Sequence, residues 1–204
     1  MAKINHNNAF QTINGVIENA KNHNAIHHYA KDASFSGASL NINGKDCHHF
    51  ATTGYLGLEQ DDRIKNAAIE AIMNYGTQFP LSKTYVSHPL YAQLEELLFK
   101  MYKQEGFVCK NSTLAHMGVI PQAVGDQDVV ILDHQVHWSV HNACNVLKSK
   151  GIPIHMIRHN DMNQLEDYLK KYQSRVGKIW YMADGIYSMF GDHAPMKEIT
   201  NLFQ

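Results

Sequence analysis

The 204 residues carry 18 Lys and Arg against 19 Asp and Glu, a formal net charge of -1, and 44% of them are hydrophobic. That length and apolar share support one main core, while the near-neutral charge, without runs of like sign, gives no footprint for nucleic acid or a membrane surface and favours a small-molecule partner. Cys47, Cys109 and Cys144 are widely spaced and form no Cys-x-x-Cys, which argues against a disulfide framework or a cysteine zinc site. Met1 to Asn8 contains no apolar signal core and no apolar run is long enough to span a bilayer, so the expected location is the cytoplasm.

Phe10, Ile13, Ile17 and Ala20 stand at near-helical spacing before a His- and Asn-rich stretch, which predicts an amphipathic arm. Leu40-Asn41-Ile42 and Cys47-His48-His49-Phe50 flank Asn43-Gly44, a strong hairpin signal. From Asp61, the apolar positions Ile64, Ala67, Ala68, Ala71, Ile72 and Tyr75 predict a helix with one buried face, stopped by Gly76. An irregular stretch from Thr77 to His88 leads to Pro89, where Leu90, Leu94, Leu97, Leu98 and Met101 predict a second helix ending at Gly106.

Strand and helix then alternate. Strands are expected at Phe107 to Lys110, Asp128 to Leu132, Pro153 to Ile157 and Lys178 to Met182. Helices are expected from Ser112 to about Val124, His137 to Lys150, Asp161 to Tyr172, and onward from Pro195. Such alternation builds a parallel sheet by right-handed crossovers. Val129-Val130-Ile131-Leu132 has no polar position, as a strand covered on both faces requires. The expected class is α/β: a mostly parallel sheet with helices on both faces, over residues 53–204, preceded by a helical arm and β-hairpin over 1–52. Val136-His137-Trp138-Ser139 and the run Ile186 to Pro195 each follow an expected strand, where open α/β sheets bind ligands.

At these residues the chain resembles the α-oxoamine synthase family of fold-type I pyridoxal phosphate (PLP) enzymes. Gly54-Tyr55-Leu56-Gly57-Leu58 is similar to the family's Asn-Tyr-Leu-Gly-Leu, and Tyr75-Gly76-Thr77 with Pro89 to Glu96 is similar to its Gly-Thr loop and following helix. Val136-His137-Trp138-Ser139 resembles Asn-His-Ala-Ser, Arg158-His159-Asn160-Asp161-Met162 contains its His-Asn-Asp, and Ile186 to Asp192 resembles Val-Phe-Ser-Met-Asp-Gly-Asp. The likeness runs from about Thr53 to the C-terminus in uninterrupted order.

The resemblance implies a transferase that condenses an amino acid with an acyl-thioester and releases carbon dioxide, as a homodimer, or an aminotransferase of the same fold. It implies that His137 stacks on the PLP ring, that Ser188 hydrogen-bonds the cofactor through a hydroxyl able to donate and accept, and that Asp184 accepts a hydrogen bond near the ring. Without the motif, His137 reads as a surface or helix-cap histidine, Ser188 as a turn serine and Asp184 as a turn cap. Ser112 and Thr113 fall where the family's Gly-aromatic pair donates backbone amides to phosphate, and the helix N-terminus they open is suited to a dianion. An ordinary capped helix needs the same residues.

The chain also departs from the family. Ser and Thr replace the Gly-aromatic pair, Gly54 replaces an Asn that contacts substrate, and Gln78 to Lys83 replaces a Gly-rich Ser-Arg loop. In the family that loop reaches the partner subunit's site, which makes Ser82 and Lys83 candidates for acting in trans; otherwise they belong to a solvated loop. PLP chemistry needs a Schiff-base lysine and an acid at the pyridine nitrogen. The resemblance places both beyond Gln204, and none of the chain's lysines has the family's Ser-x-Ser-Lys context. The expectation is the N-terminal part of such an enzyme, with no catalytic lysine of its own, an incomplete cofactor site and no turnover in isolation. Its uncovered apolar surface is expected to dimerise or bind a complementary chain.

Three other readings remain. A nucleotide-binding sheet finds no G-x-G-x-x-G or P-loop in Phe107 to Gly118. A zinc hydrolase would use His137 and His141, one helical turn apart, with His134 or Asp133, but no HExxH accompanies them. A non-catalytic, partner-binding half-enzyme is the third.

Overall fold

The computed structural model of the chain describes residues 6–32, 34–79, 82–174 and 177–204. Residues 1–5, read above for a signal segment, and Pro80 and Leu81 of the loop before Lys83 lie outside the described residues. Two compact units divide the chain, Met1–Phe79 and Pro80–Gln204. This division falls later than the 52/53 boundary drawn from sequence.

In the first unit, helix α1 (His6–Asn22) is followed by antiparallel strands β1 (Ser39–Ile42) and β2 (Lys45–His48). Asn43 and Gly44 both take positive φ, 54° and 82°, as a tight turn matched to strand twist requires. Tyr55–Gln60 forms a 3₁₀ segment in which Leu56 and Gly57 are left-handed, φ 63° and 66°. Helix α2 (Asp62–Tyr75) is capped by the Asp61 carboxylate, which accepts from the Arg63 N–H, and ends at Gly76 with φ 80°. The buried face expected for α2 is not found: none of its residues is buried, and Ile64 and Ile72 of that face are 48% and 51% exposed. The apolar stripe exists, but the first unit offers no surface to cover it.

The second unit begins with α3 (Pro89–Tyr102), capped by His88 and opened by Pro89. It stops at Lys103, left-handed at φ 56°, rather than at Gly106. Its residues too are all unburied. The strand expected at 107–110 does not form among the described residues. A strand needs a neighbour for its ladder; here the Val108 N–H instead donates to the Glu95 carboxylate, 2.7 Å away.

Helix α4 (Ser112–Ala123) leads into β3 (Val129–Asp133), α5 (Trp138–Ser149), β4 (Ile154–Ile157), α6 (Met162–Tyr172), β5 (Ile179–Met182) and α7 (Met196–Leu202). The sheet has order β4-β3-β5 and is parallel, with Val130 paired to Ile154 on one side and Trp180 on the other. All five β3 residues are buried. Val130 and Leu132 face Ile120, Val140, Ala143, Cys144 and Leu147 of α4 and α5. Ile131 turns the other way, to Ile157 and Leu165, with Ile199 and Leu202 of α7 packed alongside. Helices therefore cover both faces, and each buried aliphatic side chain contributes about 1.5–3 kcal/mol.

Asp128 fastens the amino edge of this sheet. Its carboxylate accepts from the N–H of Gly125, the N–H of Lys178 and the indole Nε1–H of Trp180, each at 2.8 Å. Burial pushes its pKa up, but these donors outweigh it and hold the group below the usual carboxylate range. Gly177, at φ 148°, lies so close to this staple that a Cβ would overlap the Gln127 carbonyl. Among the described residues no helix is long and apolar enough to cross a membrane.

Candidate functional site

Successive strands deliver polar loops to the opposite, carboxyl edge. β3 ends in Asp133, which is fully buried yet charged, so its oxygens must be filled. Oδ1 accepts from the Gln135 N–H at 2.7 Å and from His159 Nδ1 at 3.0 Å; Oδ2 accepts from the Asn160 N–H at 2.7 Å and the Tyr181 hydroxyl at 3.4 Å. Burial raises the Asp133 pKa, but the Asn160 amide, His159 and the Gln135 amide outweigh burial and leave it below the ordinary value.

His159, just past β4, also reaches Asp192 through Nε2 at 2.8 Å. A neutral imidazole has one N–H, and here both ring nitrogens face carboxylates, so the doubly protonated ring suits the site. Partial burial works against that charge, yet Asp133 and Asp192 prevail and raise the His159 value. The ring meets Tyr187 edge-on at 4.4 Å between centroids and stacks on Phe190 at 5.4 Å. Tyr187 is itself buried, and its phenol is pushed upward by burial and then by the Asp133 charge. His159 thereby anchors the turn from Ile186 to His193, which closes on itself through Tyr187 N–H to Asp192 O at 2.8 Å. Ser188 stands exposed on that anchored turn.

His137 follows β3 and is the N-cap of α5, its Nδ1 accepting from the Ser139 N–H at 3.2 Å. The cap leaves the ring exposed. Its backbone N–H donates to Asp184 Oδ2 at 3.0 Å, joining the loop after β3 to the loop after β5. His116, on α4, contacts the buried Ser139 hydroxyl at 2.8 Å, and that hydroxyl lies 2.6 Å from His137 Nδ1. One helical turn before His116, Ser112 and Thr113 open α4, whose cap Asn111 takes the Leu114 N–H at 2.9 Å. The amides of Ser112 and Thr113 precede that capped group, at the positive end of the helix.

The structure thus brings His137 and Asp184 into contact and ties α4 to the same loop through His116. Ser188 occupies a neighbouring turn held by other residues. Ser82 and Lys83 are placed apart from this group: Ser82 donates to the Thr84 hydroxyl at 3.1 Å, and Lys83 pairs with Glu95 and lies 4.6 Å from the Tyr91 ring centroid. The Lys83 ammonium is therefore engaged with α3. In the first unit, a Cβ at Gly54 would run into the Glu59 carboxylate. The cysteines are unpaired, and burial drives the Cys144 thiol up to about 11. Among the described residues no three His, Cys, Asp or Glu side chains are grouped to hold a metal ion, which removes support from the zinc reading of His137, His141, His134 and Asp133.

Sequence reasoning missed the roles of His116, Ser139 and Asp192, and saw His159 and Asn160 only as a likeness. An Asp closing an apolar strand, followed by His-Asn after the next strand, was the available signal for the Asp133 network. His116, four residues beyond Ser112, lies on the same helix face.

No family model matches the chain. It is 35% identical over 172 residues to a putative 8-amino-7-oxononanoate synthase of Geobacillus kaustophilus, covering 83% of this chain and 43% of that protein. The 8-amino-7-oxononanoate synthase of Fervidobacterium nodosum is 31% identical over 204 residues, covering 95% and 49%. Among solved structures, a serine palmitoyltransferase from S. paucimobilis with bound PLP-myriocin aldimine superposes with TM-score 0.83 at 24% identity, over 96% of this chain and 49% of that one. The Sphingomonas wittichii serine palmitoyltransferase gives the same TM-score at 23% identity, over 95% and 49%. The chain spans about half the length of the curated relatives it matches.

Proposed function

We propose that this chain, which resembles the α-oxoamine synthase family in sequence and fold over about half its members' length, builds the phosphate end and one face of a PLP site in such an enzyme. The observation that carries the reading is the Asp184 to His137 hydrogen bond, which joins two loops at the carboxyl edge beside the start of α4. The donor set suits the group. Ser112 and Thr113 offer amide hydrogens at a positive helix end to a dianionic phosphate. His137 offers an exposed flat ring of fixed direction to a heteroaromatic ring. Ser188 offers a hydroxyl from a turn held in place by the His159 network, and Asp184 orients the loop that carries His137.

PLP, when bound, supplies an electron sink for a carbanion at the α-carbon of an amino acid. The chain's own residues then act by binding and orientation: amides hold the phosphate, the His137 ring shields one face, and the turn at 188 fixes the ring's edge. The reaction class that the family resemblance implies is condensation of an amino acid with an acyl-thioester. Ser82 and Lys83 are proposed as contacts to a second copy. The uncovered apolar residues of α3, such as Leu94 and Leu97, are proposed to lie against another polypeptide or further chain.

Equilibrium dialysis of the full chain against PLP tests the reading. Saturable uptake that weakens at least tenfold in H137A and in S188A supports it. Uptake unaffected by both variants, or uptake no greater than by an unrelated lysine-bearing protein, overturns it.

A further inference from the structure

The Ser139 hydroxyl lies between two imidazoles, and the backbone N–H of Ser139 decides the order of their protons. The backbone N–H of Ser139 can act only as a donor, and it points at His137 Nδ1 from 3.2 Å, so that nitrogen carries a lone pair and no proton. The Ser139 hydroxyl, 2.6 Å from the same nitrogen, then directs its single proton there, sharing the lone pair with the N–H in a three-centre bond, since an oxygen lone pair would be repelled. Its oxygen is left to accept, and the group facing it at 2.8 Å is His116 Nδ1, which must bear hydrogen. Ser139 is completely buried, so water offers no alternative partner to the hydroxyl.

We infer that His116 is a positioning residue that acts through Ser139 to lock His137 in the tautomer with a bare Nδ1 and a protonated Nε2. The ring then offers an N–H at its free edge and takes a ligand oxygen there rather than a ligand donor. The consequence for catalysis rests on the proposed function, since it assumes that His137 faces the cofactor; the lock itself belongs to the ligand-free chain. Nothing in the sequence pattern assigns His116 a part, because the contact crosses from α4 to α5.

Nitrogen-15 NMR of the full chain, labelled in histidine, reads the tautomer directly. The expected wild-type spectrum shows an unprotonated Nδ1 and a protonated Nε2 for His137, assigned by its loss in H137Q. H116N, whose amide can donate to Ser139 in place of the imidazole, should keep that pattern. H116L, which offers no donor, should lower the tautomer ratio by about fivefold, the worth of one net hydrogen bond. A wild-type His137 with its proton on Nδ1 overturns the inference, even if H116L fails to fold. So does an unchanged tautomer ratio in a folded H116L. Dialysis of PLP against the same samples is scored separately: failure to bind counts against the cofactor reading, whereas the spectra decide the lock.

Discussion

Replacing Asp133 with alanine removes the acceptor on which two loops depend. The buried carboxylate takes the Gln135 and Asn160 amides at 2.7 Å and His159 Nδ1 at 3.0 Å. Truncation leaves those donors without the acceptor that the fold supplies. Each stranded donor costs about 1–3 kcal/mol, and removing one partner of a buried charge pair costs about 3–5 kcal/mol. These overlap in one network, so a total of about 4 kcal/mol is expected. With a urea dependence of about 2 kcal/mol per molar, the unfolding midpoint of D133A should fall by about 2 M. D133N, which keeps one carbonyl oxygen but sets an NH₂ against donors, should recover less than half of the loss. Equilibrium urea unfolding, followed by circular dichroism at about pH 6, makes the measurement. A D133A midpoint within about 0.3 M of wild type would refute the claim that this carboxylate organises the loops at the carboxyl edge.

The same network should give stability a pH optimum. His159 is raised from its ordinary 6.5, so its contribution is complete below that value and fades as pH climbs through the raised one. Asp133 is lowered from 3.8, so its contribution is complete above that value and is lost as pH falls through the lowered one. Urea midpoints should therefore be higher near about pH 5 than near about pH 9, and H159Q should flatten that difference; an equal slope in both proteins speaks against the paired imidazolium. Gly177→Ala should cost about 1–3 kcal/mol by thermal or urea unfolding, because its left-handed backbone and the Gln127 carbonyl leave no room for a Cβ; a neutral substitution would show that the loop before β5 adjusts freely. Ser112→Pro removes one amide donor at the first helical position, where a helix accepts proline and the extended Asn111 before it is compatible. PLP uptake by S112P should weaken by about tenfold with an unchanged urea midpoint, and undiminished uptake would remove the phosphate role of that amide.

The parts legible in the sequence were those decided by neighbours in the chain. Asn43-Gly44 needed only its own backbone freedom to make the turn, and the unbroken apolar run of β3 announced a strand buried on both sides. Asp61, Asn111 and Asp161 cap their helices with side chains that reach two or three residues ahead. Phe107 to Lys110 looked equally strand-like, yet a strand exists only beside another, and Val108 found a carboxylate instead. The stripe on α2 predicted amphipathicity correctly, but periodicity does not say whether a covering surface is present. The candidate site divides in the same way. His137, Ser188 and Asp184 could be singled out because they follow strands within motifs. The contacts that hold them, Asp133 to His159, His159 to Asp192 and His116 to Ser139, span 23 to 33 residues and have no local signature.

The Asp128 staple makes the chain its own two-channel fluorometer. One indole, Trp180, is pinned by that carboxylate at the amino edge of the sheet. The other, Trp138, opens α5 at the carboxyl edge and is 67% exposed. Replacing either with phenylalanine would leave a single emitter, so that unfastening of the strand origins and events around the ligand loops could be followed as separate optical signals in one molecule.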